Sequence, residues 1–298
     1  MRPKIDLDLR SAQRYETVIA SRGYSAPQFV TPPLQITNNV FIVCLLPNAC
    51  NTITHLIIIF IPVMRVFPKI NRFVVLFEGR TGSTYLTESL NKHPYVRAEG
   101  EILVSTKNED WGAQKEIVTN ILKRPKFSRL HAVGFKTKLR DIINVEQFGK
   151  LLRDQKVLII YMNRHNRVKT VVSMLRSRVL KEKVGDYNAR SNDLTLGKII
   201  LDPDIFDELL KMREELDEKL RTFVEFIDLP TTELFYEDML SDEELFFTNV
   251  CKFLEVPYIA SRGETVKNTS DNLSESVENF DELRSRYSNT AYKYQFDT

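Results

Sequence analysis

The chain has 298 residues, 43% of them hydrophobic and 28% charged, so it is long enough for one sizeable folded domain and too apolar to be wholly disordered. Its 42 basic and 40 acidic residues leave a net charge of only +2, without the basic excess typical of a dedicated nucleic-acid-binding protein. The three cysteines, Cys44, Cys50 and Cys251, form neither a disulfide framework nor a zinc-ligand spacing, so no metal site is predicted.

The first 68 residues divide into two parts. Residues 1–39 are polar to mixed with weak periodicity, and we interpret them as a poorly structured lead-in. Residues 40–68 are strongly apolar, and 40–67 is long enough for a membrane span of about 20 residues, although Pro47, Asn51 and Pro62 interrupt it. Two interpretations stay open, a membrane anchor and a buried hairpin or helix of a soluble domain. The localisation, membrane-associated with a Golgi-type anchor or cytoplasmic, is therefore open as well.

From residue 69 onward, the apolar pattern alternates between strands and helices. Continuous apolar runs predict buried strands at Phe73–Phe77, Ala132–Lys136, Val157–Met162 and, more briefly, Leu234–Tyr236. Helices are predicted between and after them at Ser83–Asn91, Val168–Val179, Ile205–Asp228 and Asp242–Leu254. This order is typical of β-α-β units, so 69–298 is predicted to be one three-layer α/β domain with a P-loop-like fold, its mainly parallel central sheet flanked by helices.

The segment FVVLFEGRTGSTYL, residues 73–86, runs from a buried strand through a glycine-containing loop into a helix. Gly79 and Gly82 let a ligand approach the backbone, and the N-terminus of the helix offers N–H groups and a positive dipole. Arg80, Ser83 and Thr84 add a cation and two hydroxyl groups. The segment predicts a phosphate- or phosphosulfate-binding loop, although such turns also serve structural roles. It is not a Walker A loop, because no lysine follows Gly82.

A second cluster of polar side chains follows the strand that ends at Met162. The turn into the next helix carries four basic or titratable residues, Arg164, His165, Arg167 and Lys169. Ser173 lies about two helical turns further along. Because ligands bind beyond the carboxyl ends of parallel strands, this cluster is expected near Arg80. A solvated basic helix face is the alternative, but it explains less well why the charges begin at the end of the strand.

Together these segments resemble the superfamily of sulfotransferases that use 3′-phosphoadenosine 5′-phosphosulfate (PAPS). GRTGSTYL is similar to the loop that binds the 5′-phosphosulfate, and RHNRVKTVVS to the segment that binds the 3′-phosphate. ELFYEDMLSD, residues 233–242, resembles the segment in which a tyrosine meets the adenine. The resemblance extends from about residue 72 to the C-terminus, and it is strongest to the bacterial and plant-type carbohydrate or lipid sulfotransferases.

The resemblance implies PAPS as the donor, 3′-phosphoadenosine 5′-phosphate (PAP) as its product, and no metal. It assigns donor binding to Gly79, Arg80, Thr81, Gly82, Ser83, Thr84, Arg164, Arg167, Ser173, Tyr236 and Lys267. Arg80 would contact the bridging and sulfuryl oxygens. Arg164 precedes Ser173 by nine residues where the family has eight, so the 3′-phosphate is left to either Arg164 or Arg167. The family's R-K-G-x-x-G-D-W-K loop is absent, and Lys267 is its plausible substitute.

The acceptor's proton needs a general base, and the resemblance implies a carboxylate for this role. Lys138 occupies the position where cytosolic members of the superfamily carry a histidine, and a protonated lysine is a poor base. Glu101 and Glu99 follow the first helix, where the carbohydrate-type branch has a catalytic glutamate, and Glu101 is preferred. The alternative is that both are carboxylates of a surface loop.

The sequence therefore predicts an enzyme that transfers a sulfuryl group from PAPS to a hydroxyl or amine of a small-molecule, glycan or lipid acceptor. Two other functions stay in competition, an inactive sulfotransferase-like binding protein and a P-loop kinase-like phosphotransferase. Residues 184–204 are expected to cover the acceptor, whose identity the sequence does not determine. No nucleic-acid partner is predicted, and membrane association through 40–67 and the oligomeric state are left open.

Overall fold

The structure, a computed structural model, describes residues 40–46 and 55–61 and then 69–297, except for 124, 126–128, 186, 188–195, 266–269 and 271. The predicted lead-in at 1–39 and the predicted donor-binding residue Lys267 lie outside the described residues. Backbone contacts divide the chain into two units, Met1–Val66 and Phe67–Thr298, and each is described by itself.

The first unit contains two antiparallel strands, β1 (Val40–Leu46) and β2 (His55–Ile61). They pair along their whole length, with Val40 opposite Ile61 and Leu46 opposite His55. The β-branched residues of both strands favour this extended conformation. In the part of the chain that the structure describes, no helix is both long and apolar enough to cross a membrane. The membrane anchor stays a prediction.

The second unit is built on five parallel strands, which confirms the predicted α/β fold. They are β3 (Asn71–Phe77), β4 (Val96–Glu101), β5 (Ala132–Thr137), β6 (Leu158–Asn163) and β7 (Thr231–Phe235). Their spatial order is β4-β5-β3-β6-β7, so β3 is the central strand. Residues 73–77 of β3 are almost completely buried, as their continuous apolar run predicts.

Eight helices belong to the described part of this unit: α1 (Ser83–Lys92), α2 (Trp111–Ile121), α3 (Val145–Asp154), α4 (Arg167–Val184), α5 (Pro203–Ile227), α6 (Tyr236–Ser241), α7 (Glu243–Phe253) and α8 (Phe280–Arg286). One face of β3, with Phe73 and Val75, packs against α1 and α7. The other face, with Val74 and Leu76, packs against α2, α3 and α5. The three predicted layers are therefore present.

Two parts of the sequence interpretation need correction. Glu99 and Glu101 lie on β4, an edge strand, and not in a loop. Only two of its six side chains, Val96 and Ala98, are buried, so the strand lacks the apolar run that marks its neighbours. The predicted strand at Leu234–Tyr236 ends one residue earlier, because Tyr236 already begins α6. Helices α2, α3, α6 and α8 were not predicted.

Candidate active site

A cleft of about 840 Å³ opens at the carboxyl ends of the central strands. The glycine-containing loop after β3, the turn after β6 and the start of α6 all contribute to its walls. Eight of the predicted donor-binding residues line it, namely Gly79, Arg80, Gly82, Ser83, Thr84, Arg164, Ser173 and Tyr236. Parallel strands thus bring together segments that are about 150 residues apart in the sequence, as expected for this class of sheet.

The loop after β3 has an unusual backbone at two positions. Arg80 and Gly82 both have left-handed conformations, with φ of 68° and 80°. Gly82 is the N-cap residue of α1, and no side chain caps this helix. A Cβ atom at position 82 would lie 2.7 Å from Cδ2 of Tyr236 and 2.8 Å from Cε of Met239, so only glycine fits there. The N-terminus of α1 therefore faces the cleft with its backbone N–H groups available to an anion.

Two arginines meet beside this loop. Nε of Arg80 donates a hydrogen bond to Oγ of Ser173 at 3.0 Å, and Nη1 of Arg164 donates to the carbonyl oxygen of Arg80 at 3.2 Å. The guanidinium of Arg164 also lies 4.5 Å from the centre of the Tyr236 ring. Burial, and after it the positive charge of Arg164, lower the pKa of Arg80. Two cations this close together favour a ligand with several negative charges.

Arg167, the other candidate for the 3′-phosphate, lies outside the cleft. Its Nε is 3.1 Å from Oδ2 of Asp217, and its Nη1 is 3.7 Å from Oε1 of Glu214, both on α5. The backbone N–H of Arg167 donates to Oε1 of Gln295 at 2.7 Å. Arg167 thus fastens α4 to α5 and to the C-terminal segment, and it does not line the cleft. Of the two alternatives for the 3′-phosphate, the geometry favours Arg164.

Lys136 is a site residue that the sequence interpretation missed. It lies on β5 and is 5% exposed, and its Nζ donates a hydrogen bond to Oγ1 of Thr84 at 2.8 Å. Burial lowers the pKa of Lys136 to about 8, although the nearby carboxylate of Glu101 opposes the shift. The signal for it was a lysine inside an otherwise apolar strand, since such a buried charge requires partners.

Glu101 and Glu99 differ clearly in their surroundings. Glu101 lines the cleft, forms an ion pair with Lys138 and has its Oε1 3.6 Å from Nζ of Lys136. Burial raises the pKa of Glu101, but the hydrogen bond and charge of Lys138, together with Lys136, outweigh it, and the net pKa is lowered. The side chain of Glu99 is outside the cleft and half-exposed, and its Oε1 lies 3.9 Å from Nε of Arg97. Only Glu101 is therefore placed to meet a substrate.

Some known proteins are similar to this chain in sequence or in structure. No protein-family model matches the chain. Nodulation protein H of Rhizobium tropici is 24% identical over 243 residues, which cover 77% of this chain and 94% of that protein. Similar solved structures include a sulfotransferase from Alicyclobacillus acidocaldarius, at 13% identity and a TM-score of 0.42, with 76% of this chain and 94% of that chain covered.

A mouse sulfotransferase complexed with PAP is 14% identical, with a TM-score of 0.37 and coverage of 72% of this chain and 67% of that chain. Because these TM-scores are below 0.5, the structural likenesses do not assign roles to individual residues. The motifs that resemble the PAPS-dependent enzymes converge on one cleft of this chain. Nodulation protein H and solved sulfotransferases are what this chain is similar to.

The side of the cleft expected to bind an acceptor is described only in part. Tyr187 lines the cleft, and its carbonyl oxygen accepts a hydrogen bond of 3.4 Å from Nη1 of Arg80. Of the segment expected to cover the acceptor, 184–204, residues 186 and 188–195 lie outside the described residues. Within the described ranges, no group of three or more histidine, cysteine, aspartate or glutamate side chains could hold a metal ion.

Proposed function

We propose that this protein is a sulfotransferase, which uses PAPS as its donor and transfers the sulfuryl group to a hydroxyl or amine of a small-molecule, glycan or lipid acceptor. The observation that supports the donor best is the uncapped N-terminus of α1 with Arg80 and Arg164 directly beside it. Backbone N–H groups, the helix dipole and two guanidinium groups together form a strong anion site. PAPS carries phosphate groups at both ends of its ribose, and the cleft has cations for both.

The donor would lie along the cleft with its 5′ end at the loop. Residues 79–84 would hold the 5′-phosphosulfate through backbone N–H groups and through the hydroxyls of Ser83 and Thr84. Arg164 and Ser173 would bind the 3′-phosphate, and Tyr236 would contact the adenine. The contact of Arg164 with the Tyr236 ring supports this arrangement, because it places a phosphate-binding cation beside an aromatic surface. Lys136 would add a further cation through its position next to Thr84.

Sulfuryl transfer then depends mainly on positioning and on charge. The acceptor oxygen or nitrogen forms a bond to sulfur, the bond between sulfur and the bridging oxygen breaks, and PAP leaves with the electron pair. Arg80 and Lys136 would stabilise negative charge that grows on the leaving phosphate, each contact being worth about 3 kcal/mol in the transition state. Glu101 would take the acceptor's proton. None of the residues proposed for this reaction needs a metal ion.

Calorimetry of the full chain with PAP tests the donor site. We expect micromolar binding that is equal in EDTA and in magnesium. Arg80→Ala should weaken it about 10- to 100-fold, because a charge-assisted hydrogen bond is lost. Arg153→Ala is the matched control, since Arg153 packs on Phe226 and does not line the cleft.

Three outcomes would contradict the proposal in different ways. Absence of PAP binding by folded wild-type protein would exclude a PAPS-binding site. Magnesium-dependent binding of ATP in preference to PAP would favour the kinase-like alternative. PAP binding without transfer from PAPS to any acceptor in a broad screen of sugars, lipids and small alcohols would favour the inactive binding protein.

The affinity for PAP should fall as the pH rises from 7 to 9. The pKa of Lys136 is lowered to about 8, so the side chain is protonated and cationic below that pH and loses its charge above it. If only the protonated form binds well, the dissociation constant rises by up to about tenfold over this range. Lys136→Arg keeps a cation at every pH and should remove the dependence. An equally steep pH dependence in that variant would contradict this role for Lys136.

A further inference from the structure

The donor loop is held in place by hydrogen bonds to its carbonyl groups. Three successive carbonyl oxygens each accept a hydrogen bond from a side chain. The pairs are Glu78 O with Oγ1 of Thr81 at 3.1 Å, Gly79 O with Nη1 of Arg213 at 2.5 Å and Arg80 O with Nη1 of Arg164 at 3.2 Å. Two of these donors come from other elements, so the loop conformation depends on tertiary contacts. Carbonyl oxygens left pointing at an anionic ligand would repel it.

The side chain of Arg213 is held in place by a buried ion pair. It lies on α5 and is only 5% exposed, and its Nε is 2.7 Å from Oδ1 of Asp217, one helical turn further along. Asp217 is itself 7% exposed and also accepts a hydrogen bond from Nε of Arg167. A buried arginine whose charge is balanced in this way has little freedom to rotate. Arg213 does not line the cleft.

The hydrogen bond to Gly79 determines which way the next N–H group points. In a trans peptide the carbonyl of Gly79 and the N–H of Arg80 lie in one plane and point in opposite directions. Arg80, with its φ of 68°, adopts a conformation that is disfavoured for residues other than glycine. The hydrogen bond from Arg213 therefore fixes the orientation of the Gly79–Arg80 peptide, and with it the left-handed conformation of Arg80.

We propose that Arg213 is a positioning residue of the donor site, which keeps the Gly79–Arg80 peptide in the orientation that binds the 5′ end of PAPS. Asp217 orients Arg213. This inference rests on the proposed function, since it concerns the affinity for the donor. It does not concern the acceptor, so its effect belongs in the KM for PAPS and not in the KM for the acceptor.

The test uses variants of the full chain. Arg213→Met keeps most of the side-chain volume but removes the donor, and it should weaken PAP binding and raise the KM for PAPS about 10- to 100-fold. Arg213→Lys retains one donor and should recover most of the affinity. Asp217→Asn, a milder change, should weaken PAP binding by less than Arg213→Met. Hydrogen exchange of the backbone amides at 80–84 should become faster in Arg213→Met without ligand.

Arg176→Met is the matched control. Arg176 is an arginine of α4 that is 4% exposed and binds the carbonyl oxygens of Leu196, Gly197 and Ser276. It should lower the melting temperature as much as Arg213→Met does but leave PAP affinity near the wild-type value. Equal PAP affinity in Arg213→Met and the wild type, with only the melting temperature lowered, would overturn the inference. Failure of the wild type itself to bind PAP would overturn the proposed function, and the inference with it.

Discussion

Replacing Glu101 by glutamine is expected to reduce kcat by about 10²- to 10⁴-fold, the usual contribution of a general base. Glu101 is the carboxylate of β4 that lines the cleft, and its lowered pKa keeps it ionised at neutral pH. PAP affinity should stay equal or increase, because Lys136 and Lys138 lose a negative partner. Steady-state release of PAP from PAPS, with an acceptor found by screening, gives kcat, and calorimetry gives the affinity.

Glu99→Gln is the matched control for this prediction, since Glu99 lies on the same strand but outside the cleft. It should leave both kcat and PAP affinity unchanged. A loss of kcat in Glu99→Gln with wild-type activity in Glu101→Gln would reverse the assignment of the base. Wild-type kcat in both variants would mean that neither carboxylate takes the acceptor's proton, and that Glu101 serves only to hold the two lysines.

Gly82→Ala is expected to lower the free energy of unfolding and to abolish PAP binding. The left-handed backbone costs about 1–2 kcal/mol for a residue with a Cβ atom. Contact of that Cβ with Tyr236 and Met239 adds about 1–3 kcal/mol, as overpacking does in other proteins. The methyl end of Met239 can move aside, but the Tyr236 ring is held beneath Arg164. Urea denaturation measures the stability, and calorimetry with PAP measures the site.

Gly185→Ala separates the cost of the left-handed backbone from the cost of the steric contact. Gly185 has nearly the same backbone conformation, with φ of 79°, but a Cβ atom there meets none of the described residues within 4 Å. This variant should show only the conformational cost of about 1–2 kcal/mol and normal PAP affinity. Equal loss of stability in the two variants would show that the contact with Tyr236 and Met239 is tolerated, and it would remove the steric reason for glycine at position 82.

Helices α1 and α4 follow β3 and β6, and of these two only α1 has no side-chain hydrogen bond at its N-cap. In α4 the first N–H groups are taken by protein side chains, with Gln295 accepting from Arg167 and Val168 and the side chain of Asn166 accepting from Lys169. Backbone groups of α4 are therefore committed within the protein. The proposed 3′-phosphate site has to rely on side chains, and the position of Arg164 beside Ser173 and Tyr236 supports it in that role.

The spacing between Arg164 and Ser173 is one departure of the sequence from the sulfotransferase pattern. Arg164 is one residue further from Ser173 than the resemblance implies, yet both line the cleft. The carboxylate of Glu237 accepts hydrogen bonds from the backbone N–H groups of His165 and Asn166. These bonds hold the turn that follows Arg164. The shifted spacing is therefore no reason by itself to favour an inactive protein.

The parallel α/β fold followed from the sequence, because continuous apolar strands such as β3 have to be buried on both faces and must then be covered by helices. The sequence also predicted the donor loop from glycine, arginine and two hydroxyl residues between a strand and a helix, although such turns have structural uses as well. It did not reveal β4, whose half-exposed residues leave only a weak apolar pattern, nor the helices α2, α3, α6 and α8.

Only the tertiary structure decided which of several similar side chains reach the cleft. Arg164 and Arg167, like Glu99 and Glu101, are of the same residue type and lie two or three positions apart. One member of each pair faces the cleft, and the other pairs with a charge elsewhere. Lys136 and Arg213 became visible only through partners more than 50 residues away in the sequence. Hydrogen bonds and ion pairs act through space at a few ångströms, so a site built from distant segments is determined by packing and not by local sequence.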